Sequence, residues 1–168
     1  TAIATSPDGL AWTKRGRVIS PEFSDGAYIA ANGSALPVGK ELWYWYEVGY
    51  PLRIAVAKTT DGEDWTREPG YALDRGPYGS FDEIAVADPY VVRAGEIFYM
   101  YYLGQDRAGR QQLGVARSTD GVRWEKLRSN PILTGGATGA FDEELGEPAV
   151  WNSGGWWWML YTGRAHDE

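Results

Sequence analysis

The tripeptide Phe-Asp-Glu occurs twice in this chain, each time followed by an acid-proline pair. Residues 81–90 read FDEIAVADPY and residues 141–150 read FDEELGEPAV. Asp88 and Glu147 therefore stand directly before prolines, at the head of apolar runs. Two carboxyl groups are what glycoside hydrolysis requires: one protonates the leaving oxygen and the other works ionised beside the sugar ring. Environments that push the two pKa values apart assign those roles. An acid at a strand entrance can equally cap backbone amides and do no chemistry. Asp82, Glu83, Asp142, Glu143 and Glu144 precede the two acid-proline pairs and are expected to be solvated loop acids.

Other chemistries find little support. There is no cysteine, so no thiolate nucleophile and no thiolate metal site. His166 is the only histidine and has no companion ligand, so neither a metal nor a cofactor is expected. The formal net charge of −7 argues against nucleic acid as a partner, because phosphate binding needs basic patches. No apolar run is long enough to cross a bilayer, so no membrane partner is expected. Nine Trp and eleven Tyr suit carbohydrate instead, since the flat face of a sugar packs on an aromatic ring.

The elements that must position Asp88 and Glu147 come from internal repetition. AIATSPDGLAWTKRG at 2–16 returns as AVAKTTDGEDWTREP at 55–69 and GVARSTDGVRWEKLR at 114–128. Each copy is a short strand, then Ser/Thr-x-Asp-Gly, then Trp. Asp-Gly between strand-like runs marks a turn, which makes Asp8, Asp61 and Asp120 turn formers rather than catalysts. A second element alternates with the first: ANGSALPVGKELWYWYEVG at 31–49, ADPYVVRAGEIFYMYYLG at 87–104 and GEPAVWNSGGWWWMLYTG at 146–163. It reads as a strand, a glycine turn and an aromatic strand. Together the two elements form a four-stranded antiparallel meander with a period of about 58 residues. The runs LWYWY, IFYMYY and WWWMLY are apolar on both faces, which predicts strands covered on both sides. The fold class is therefore all-β: a β-propeller of four-stranded antiparallel blades, with about three blades in this chain. Its units are a half-blade at 1–20, blades at 21–78 and 79–136, and a half-blade at 137–168.

These motifs resemble the five-bladed β-propeller glycosidases, the group of arabinanases, xylosidases, invertases and levansucrases, with mannoside phosphorylases nearby. The resemblance covers nearly the whole chain. It implies that inner strands of successive blades begin with acids facing a central funnel: an Asp base or nucleophile, a supporting Asp, then a Glu general acid. Aligning the aromatic strands places Asn32, Asp88 and Glu147 in these slots. The resemblance thus makes Glu147 the acid and Asp88 the supporting carboxylate of a glycoside hydrolase. Asn32 departs from it, because an amide cannot act as a general base. A non-catalytic carbohydrate-binding or assembly propeller is the alternative.

Blade geometry puts the loops at 47–53, 104–112 and 163–168 on the site's rim. Arg53, Arg107, Arg110 and Arg164 lie there and could hold an acidic group. Tyr28 and Tyr90 neighbour the slots and are candidates for sugar stacking. A five-bladed ring at this period needs on the order of 290 residues. Two closures are open: a homodimer in which two copies join head to tail as a six-bladed ring, or further blades in a longer chain. The matched break points in the repeat favour the homodimer.

Overall fold

A computed structural model describes residues 1–26 and 28–165. The strands are β1 (Ala2–Thr5), β2 (Thr13–Arg17), β3 (Ala30–Val38), β4 (Glu41–Val48), β5 (Arg53–Thr59), β6 (Thr66–Arg67), β7 (Ala85–Ala94), β8 (Ile97–Gln105), β9 (Gln111–Ser118), β10 (Glu125–Lys126), β11 (Glu144–Ser153) and β12 (Trp156–Arg164). Among the described residues the only helical turn is a 3-10 segment, Phe23–Asp25. The strands form two complete four-stranded antiparallel sheets, β3–β4–β5–β6 and β7–β8–β9–β10. Two-stranded sheets β1–β2 and β11–β12 flank them. This is an open arc of a β-propeller, and the sheets do not close into a ring.

Packing explains the aromatic strands. Along β4, Trp43 and Trp45 enter one apolar cluster with Phe98, Met100 and Tyr102 of β8. The alternate residues Tyr46 and Val48 enter a second cluster with Ile19 and Ala30, on the side of β1–β2. Leu103 of β8 belongs to a third cluster, with Leu145 of β11. Period-two alternation thus sends neighbours to opposite faces, and both faces are buried. β12 differs from the sequence expectation. Trp157 and Leu160 are 50% and 66% exposed, whereas Phe98 and Tyr101 at the same register in β8 are buried and half-buried. The reason is local: β12 pairs only with β11, and no sheet covers its far side among the described residues.

The Ser/Thr-x-Asp-Gly turns are identical in all three copies. The Asp61 carboxylate accepts the amides of Glu63 and Asp64, and Trp65 Nε1 donates to the Gly62 carbonyl at 3.1 Å. Asp8 and Asp120 repeat this with Trp12 and Trp124. The amides of Ala11 and Leu10 hold Asp8 down at about 2, and the Arg123 and Val122 amides hold Asp120 there too. These aspartates are turn formers, as their sequence context predicts. The third turn also locks two sheets together. Trp45 Nε1 donates to the Gly121 carbonyl at 2.8 Å, and a Cβ on Gly121 would lie 2.7 Å from the Trp43 ring.

The doubled Phe-Asp-Glu encodes a doubled connection between sheets. Gly76 N donates to Asp82 O and Gly136 N to Asp142 O, while Glu83 and Glu143 accept the amides of Gly79 and Gly139. Asp82 corrects the expectation of a solvated acid. It is 1% exposed, and its carboxylate takes Tyr102 Oη at 3.0 Å and Lys126 Nζ at 2.5 Å. Asp25, at the preceding connection, is buried likewise and takes Arg67 and Tyr71. In both cases the cation comes from the fourth strand of the sheet that the connection enters, so a buried charge is neutralised in place.

Gly9 and Gly121 occupy the same turn position with φ of 75° and 70°. A Cβ at Gly9 meets nothing within 4 Å. Gly9→Ala is therefore expected to cost about 1 kcal/mol, the left-handed penalty alone. Gly121→Ala is expected to cost about 3 kcal/mol or more, because the overlap with Trp43 adds to it. Urea denaturation of the two variants checks this, and equal losses would refute the locking role of the third turn.

Candidate active site

Three inner strands break register at matching places. Pairing skips between Ala31 and Gly33 in β3, between Ala87 and Tyr90 in β7, and between Gly146 and Ala149 in β11. The residue at each bulge is Asn32, Asp88 or Glu147, with φ of 35°, 48° and 50°. They are the only non-glycine residues with positive φ among those described. Left-handed backbone costs an ordinary residue about 1–2 kcal/mol, so each needs support from its surroundings. A β-bulge re-aims a side chain out of the strand's alternation. Here the three bulges line one cavity of about 270 Å³ with Asn32, Gly33, Asp88, Pro89, Tyr90, Glu147, Pro148 and Ala149. The alignment of the aromatic strands thus identified residues that share one backbone geometry and one cavity.

Hydrogen bonds run from blade to blade across these slots. Glu147 N donates to Asp88 Oδ2 at 3.0 Å. Asp88 N in turn donates to Glu47 Oε1 at 2.8 Å. Asn32 Nδ2 donates to Glu47 Oε2 at 3.3 Å. Each left-handed residue beyond the first is therefore held by a carboxylate of the preceding sheet. Thr162 Oγ1 donates to Glu147 Oε2 at 2.6 Å, which fixes that side chain. Inner strands also join directly, through Val91 N to Ser34 Oγ at 2.9 Å.

Glu47 is the residue that sequence reasoning missed. It lies opposite Ala31, where the other two sheets place Leu103 opposite Ala87 and Thr162 opposite Gly146. It is 3% exposed. Burial, reinforced by the neighbouring Asp88 carboxylate, pushes its carboxyl up to about 8. The available signal was a lone acid inside the run LWYWYEV, where the other repeats carry leucine or threonine.

The other candidates divide. Tyr90 lines the slot cavity. Arg164 donates to Gln111 Oε1 at 2.7 Å, and it approaches the same point beside Gly146 that Asp88 Oδ2 does. Tyr28 is exposed and meets Tyr50 edge-on at 5.4 Å, away from the slot cavity's lining. Arg53 is engaged by Asp74 at 2.8 Å and lies over the Tyr71 ring. Arg107 pairs with Glu83, and Arg110 with Asp106, around a separate cavity of about 580 Å³. Those arginines are spoken for by acids. His166 lies outside the described residues. No cluster of three or more metal-ligating side chains occurs among the described residues.

Comparison with known proteins places this geometry on a familiar scaffold. No protein-family model matches the chain. The uncharacterized protein Rv1502 of Mycobacterium tuberculosis is 26% identical over 132 residues, which cover 74% of this chain and 42% of that protein. A family 117 glycoside hydrolase of Zobellia galactanivorans superposes with a TM-score of 0.71 at 22% identity, covering 95% of this chain and 51% of that one. The GH32 β-fructofuranosidase of Bombyx mori gives 0.76 at 19% identity, covering 98% and 35%. The β-1,2-mannobiose phosphorylase of Listeria innocua gives 0.77 at 18%, covering 96% and 47%. The chain therefore spans about half the length of these proteins or less. What it shares with them is the fold, an arc of the propeller on which those carbohydrate-active enzymes are built.

Proposed function

We propose that this chain is a carbohydrate-active protein of the glycoside hydrolase type, with its sugar site at the three inner-strand bulges. The observation that carries this reading is the convergence of Asn32, Asp88 and Glu147, each left-handed, on one cavity. Strained backbone at corresponding points of successive sheets is retained where side chains must be aimed at a common point. The similar solved structures add support, since they include a β-fructofuranosidase with bound sucrose and a phosphorylase with bound mannobiose.

In the reaction, Glu147 gives the proton to the leaving oxygen while Thr162 orients one of its carboxyl oxygens. Asp88 faces the charge that develops on the sugar ring. Tyr90 offers its ring, and Arg164 its guanidinium, to the sugar's hydroxyl groups. Asn32 can hold a hydroxyl or a water but cannot accept its proton, so the chain binds sugar better than it turns it over. Calorimetric titration with arabino-, xylo-, fructo- and manno-oligosaccharides tests the site. Binding is expected to drop at least tenfold in Asp88→Asn and in Glu147→Gln. Binding unaffected by both substitutions would move the site elsewhere.

Restoring the carboxylate at the first slot is expected to raise turnover, with one constraint from the geometry. Asn32→Asp alone sets a carboxylate against Glu47, because the Asn32 amide is a donor to it. Asn32→Asp/Glu47→Gln exchanges amide and carboxylate and keeps the contact. This double variant is expected to gain about 10²–10⁴-fold on aryl glycosides, the usual worth of general-base help. Adding Glu147→Gln should abolish the gain. No gain in a folded, sugar-binding double variant would favour a binding protein over an enzyme.

For the ring, we propose closure by a second copy, whose β1–β2 completes the sheet begun by β11–β12. Lys14 follows Trp12 as Arg67 follows Trp65 and Lys126 follows Trp124. Arg67 and Lys126 neutralise Asp25 and Asp82. The next member of that series is Asp142, which no cation reaches among the described residues. Phe141 beside it is 74% exposed, whereas Phe81 packs against β9. On this proposal Lys14 of a second copy pairs with Asp142. Light scattering is expected to give twice the monomer mass, with loss in Lys14→Glu and recovery in Lys14→Glu/Asp142→Lys. A folded monomer at micromolar concentration would leave closure to further blades of a longer chain.

A further inference from the structure

Glu47 has no counterpart in the neighbouring sheets. At its register, Leu103 packs against Leu145 as ordinary core. A carboxyl in that place is costly, because burial strips its water. It is tolerated here through two donors that both belong to the slots: the Asp88 amide and the Asn32 side chain. Its position in the blade-to-blade series is also informative. Glu147 N is received by the acid in the preceding slot, Asp88. By that pattern the acceptor for Asp88 N would be the side chain in the first slot, but Asn32 turns its amide to Glu47, and Glu47 accepts instead.

We propose that Glu47 is a positioning residue of the slot site, which replaces the first slot's carboxylate and shares one proton with Asp88. Glu47 keeps the proton and donates it in a hydrogen bond to the Asp88 carboxylate. That bond, with the Asp88 amide, holds Asp88 in its left-handed conformation and turns its other lone pairs to the sugar and to Glu147 N. An oxygen that accepts one hydrogen bond retains a second position for the shared proton. With Asp88 N 2.8 Å from Glu47 Oε1 the two carboxyl groups are neighbours, and neighbouring carboxyls do not both ionise readily. The inference rests on the carbohydrate reading of the site for its consequence, but the carboxyl pair can be observed without any sugar.

The groups around Glu47 set the direction of its response. Asp88 faces it from β7, and the uncharged Asn32 from β3. Tyr44 lies along its own strand, and the phenol is itself raised, chiefly by burial. Glu147 on β11 and Arg164 on β12 lie on the far side of Asp88. Burial and the Asp88 carboxylate both favour the protonated form of Glu47. Below about pH 8 Glu47 holds its proton; above it, the Glu47 carboxylate no longer donates to Asp88, which loses its fixed orientation. The folded chain binds one proton more than the unfolded chain between about pH 4.5 and pH 8, so this group's contribution to stability falls as pH rises through that window.

Carbon-13 NMR of the side-chain carboxyls across pH, on the intact chain, tests the pair directly. The Glu47 resonance is expected to titrate far above the ordinary glutamate range, and to move down in Asp88→Asn. An ordinary Glu47 midpoint would overturn the proposal. Sugar titration then tests the consequence. Wild-type affinity should fall about tenfold or more between pH 6.5 and pH 9.5. Glu47→Leu, which copies the neighbouring sheet, should remain folded and lose binding at all pH values. Glu47→Gln should restore part of the binding and flatten the pH profile, since its amide oxygen still accepts the Asp88 amide while its nitrogen donates without titrating. A Glu47→Gln profile that still falls with pH would also overturn the proposal. A raised Glu47 midpoint without sugar binding at any pH would refute the carbohydrate reading and leave the pair standing. Sugar binding with an ordinary midpoint would do the reverse.

Discussion

The two-sided burial of the middle strands is the constraint from which the rest of this molecule follows. β4 sends Trp43 and Trp45 to one neighbour and Tyr46 and Val48 to the other. A strand apolar on both faces cannot sit at the surface of a two-layer sandwich. It needs a sheet on each side, and repeating that demand generates a stack of blades. The twist of each sheet then turns the stack into an arc. The inner strands β3, β7 and β11 neighbour one another along that arc, and there Asn32, Asp88 and Glu147 line one cavity. The site is in this sense a by-product of how the aromatic strands are covered.

The same constraint explains where polar groups could enter the interfaces. The first two connections between sheets each bury an aspartate, Asp25 and Asp82, and the fourth strand supplies its cation. Each turn seats a tryptophan indole on a glycine carbonyl. These polar contacts are satisfied in place, as buried polar groups must be. They fix how far one blade slides on the next. The bulges depend on that register, because an amide of one sheet must meet a carboxylate of its neighbour. A slip of one residue would turn the slot side chains away from the cavity.

Much of this was legible in the sequence. The repeated Asp-Gly-x-x-Trp turn, the aromatic strands and the acid-proline pairs have local signatures, and each copy strengthens the others. Aligning WYWYEVG with YMYYLG and WMLYTG was enough to pick out residues 32, 88 and 147. What remained hidden is non-local. Asp82 reads as a loop acid, and only the fold reveals that Lys126 and Tyr102 enclose it. Arg53 and Arg107 read as free rim cations, but Asp74 and Glu83 reach them across the fold. Glu47 was visible as an anomaly in an apolar run, but its meaning depends on which backbone amide of the next sheet it meets.

That last contact bears on what a change from acid to amide does to a site of this kind. Asp88 does two things in its slot: its side chain lines the cavity, and it accepts the amide of the next sheet's left-handed residue, Glu147. At the first slot Asn32 lines the cavity but turns its amide to Glu47, and it does not receive the Asp88 amide. The Asp88 amide is received instead by Glu47, one strand further out, where the carboxyl is buried and does not line the cavity. The chemical job has no such relay, because a group outside the cavity cannot take a proton from water within it. Structure and reactivity, which a single aspartate would combine, are thereby divided between two residues. On the proposed reading, the cavity keeps two acids, Asp88 and Glu147, and has no third to activate water.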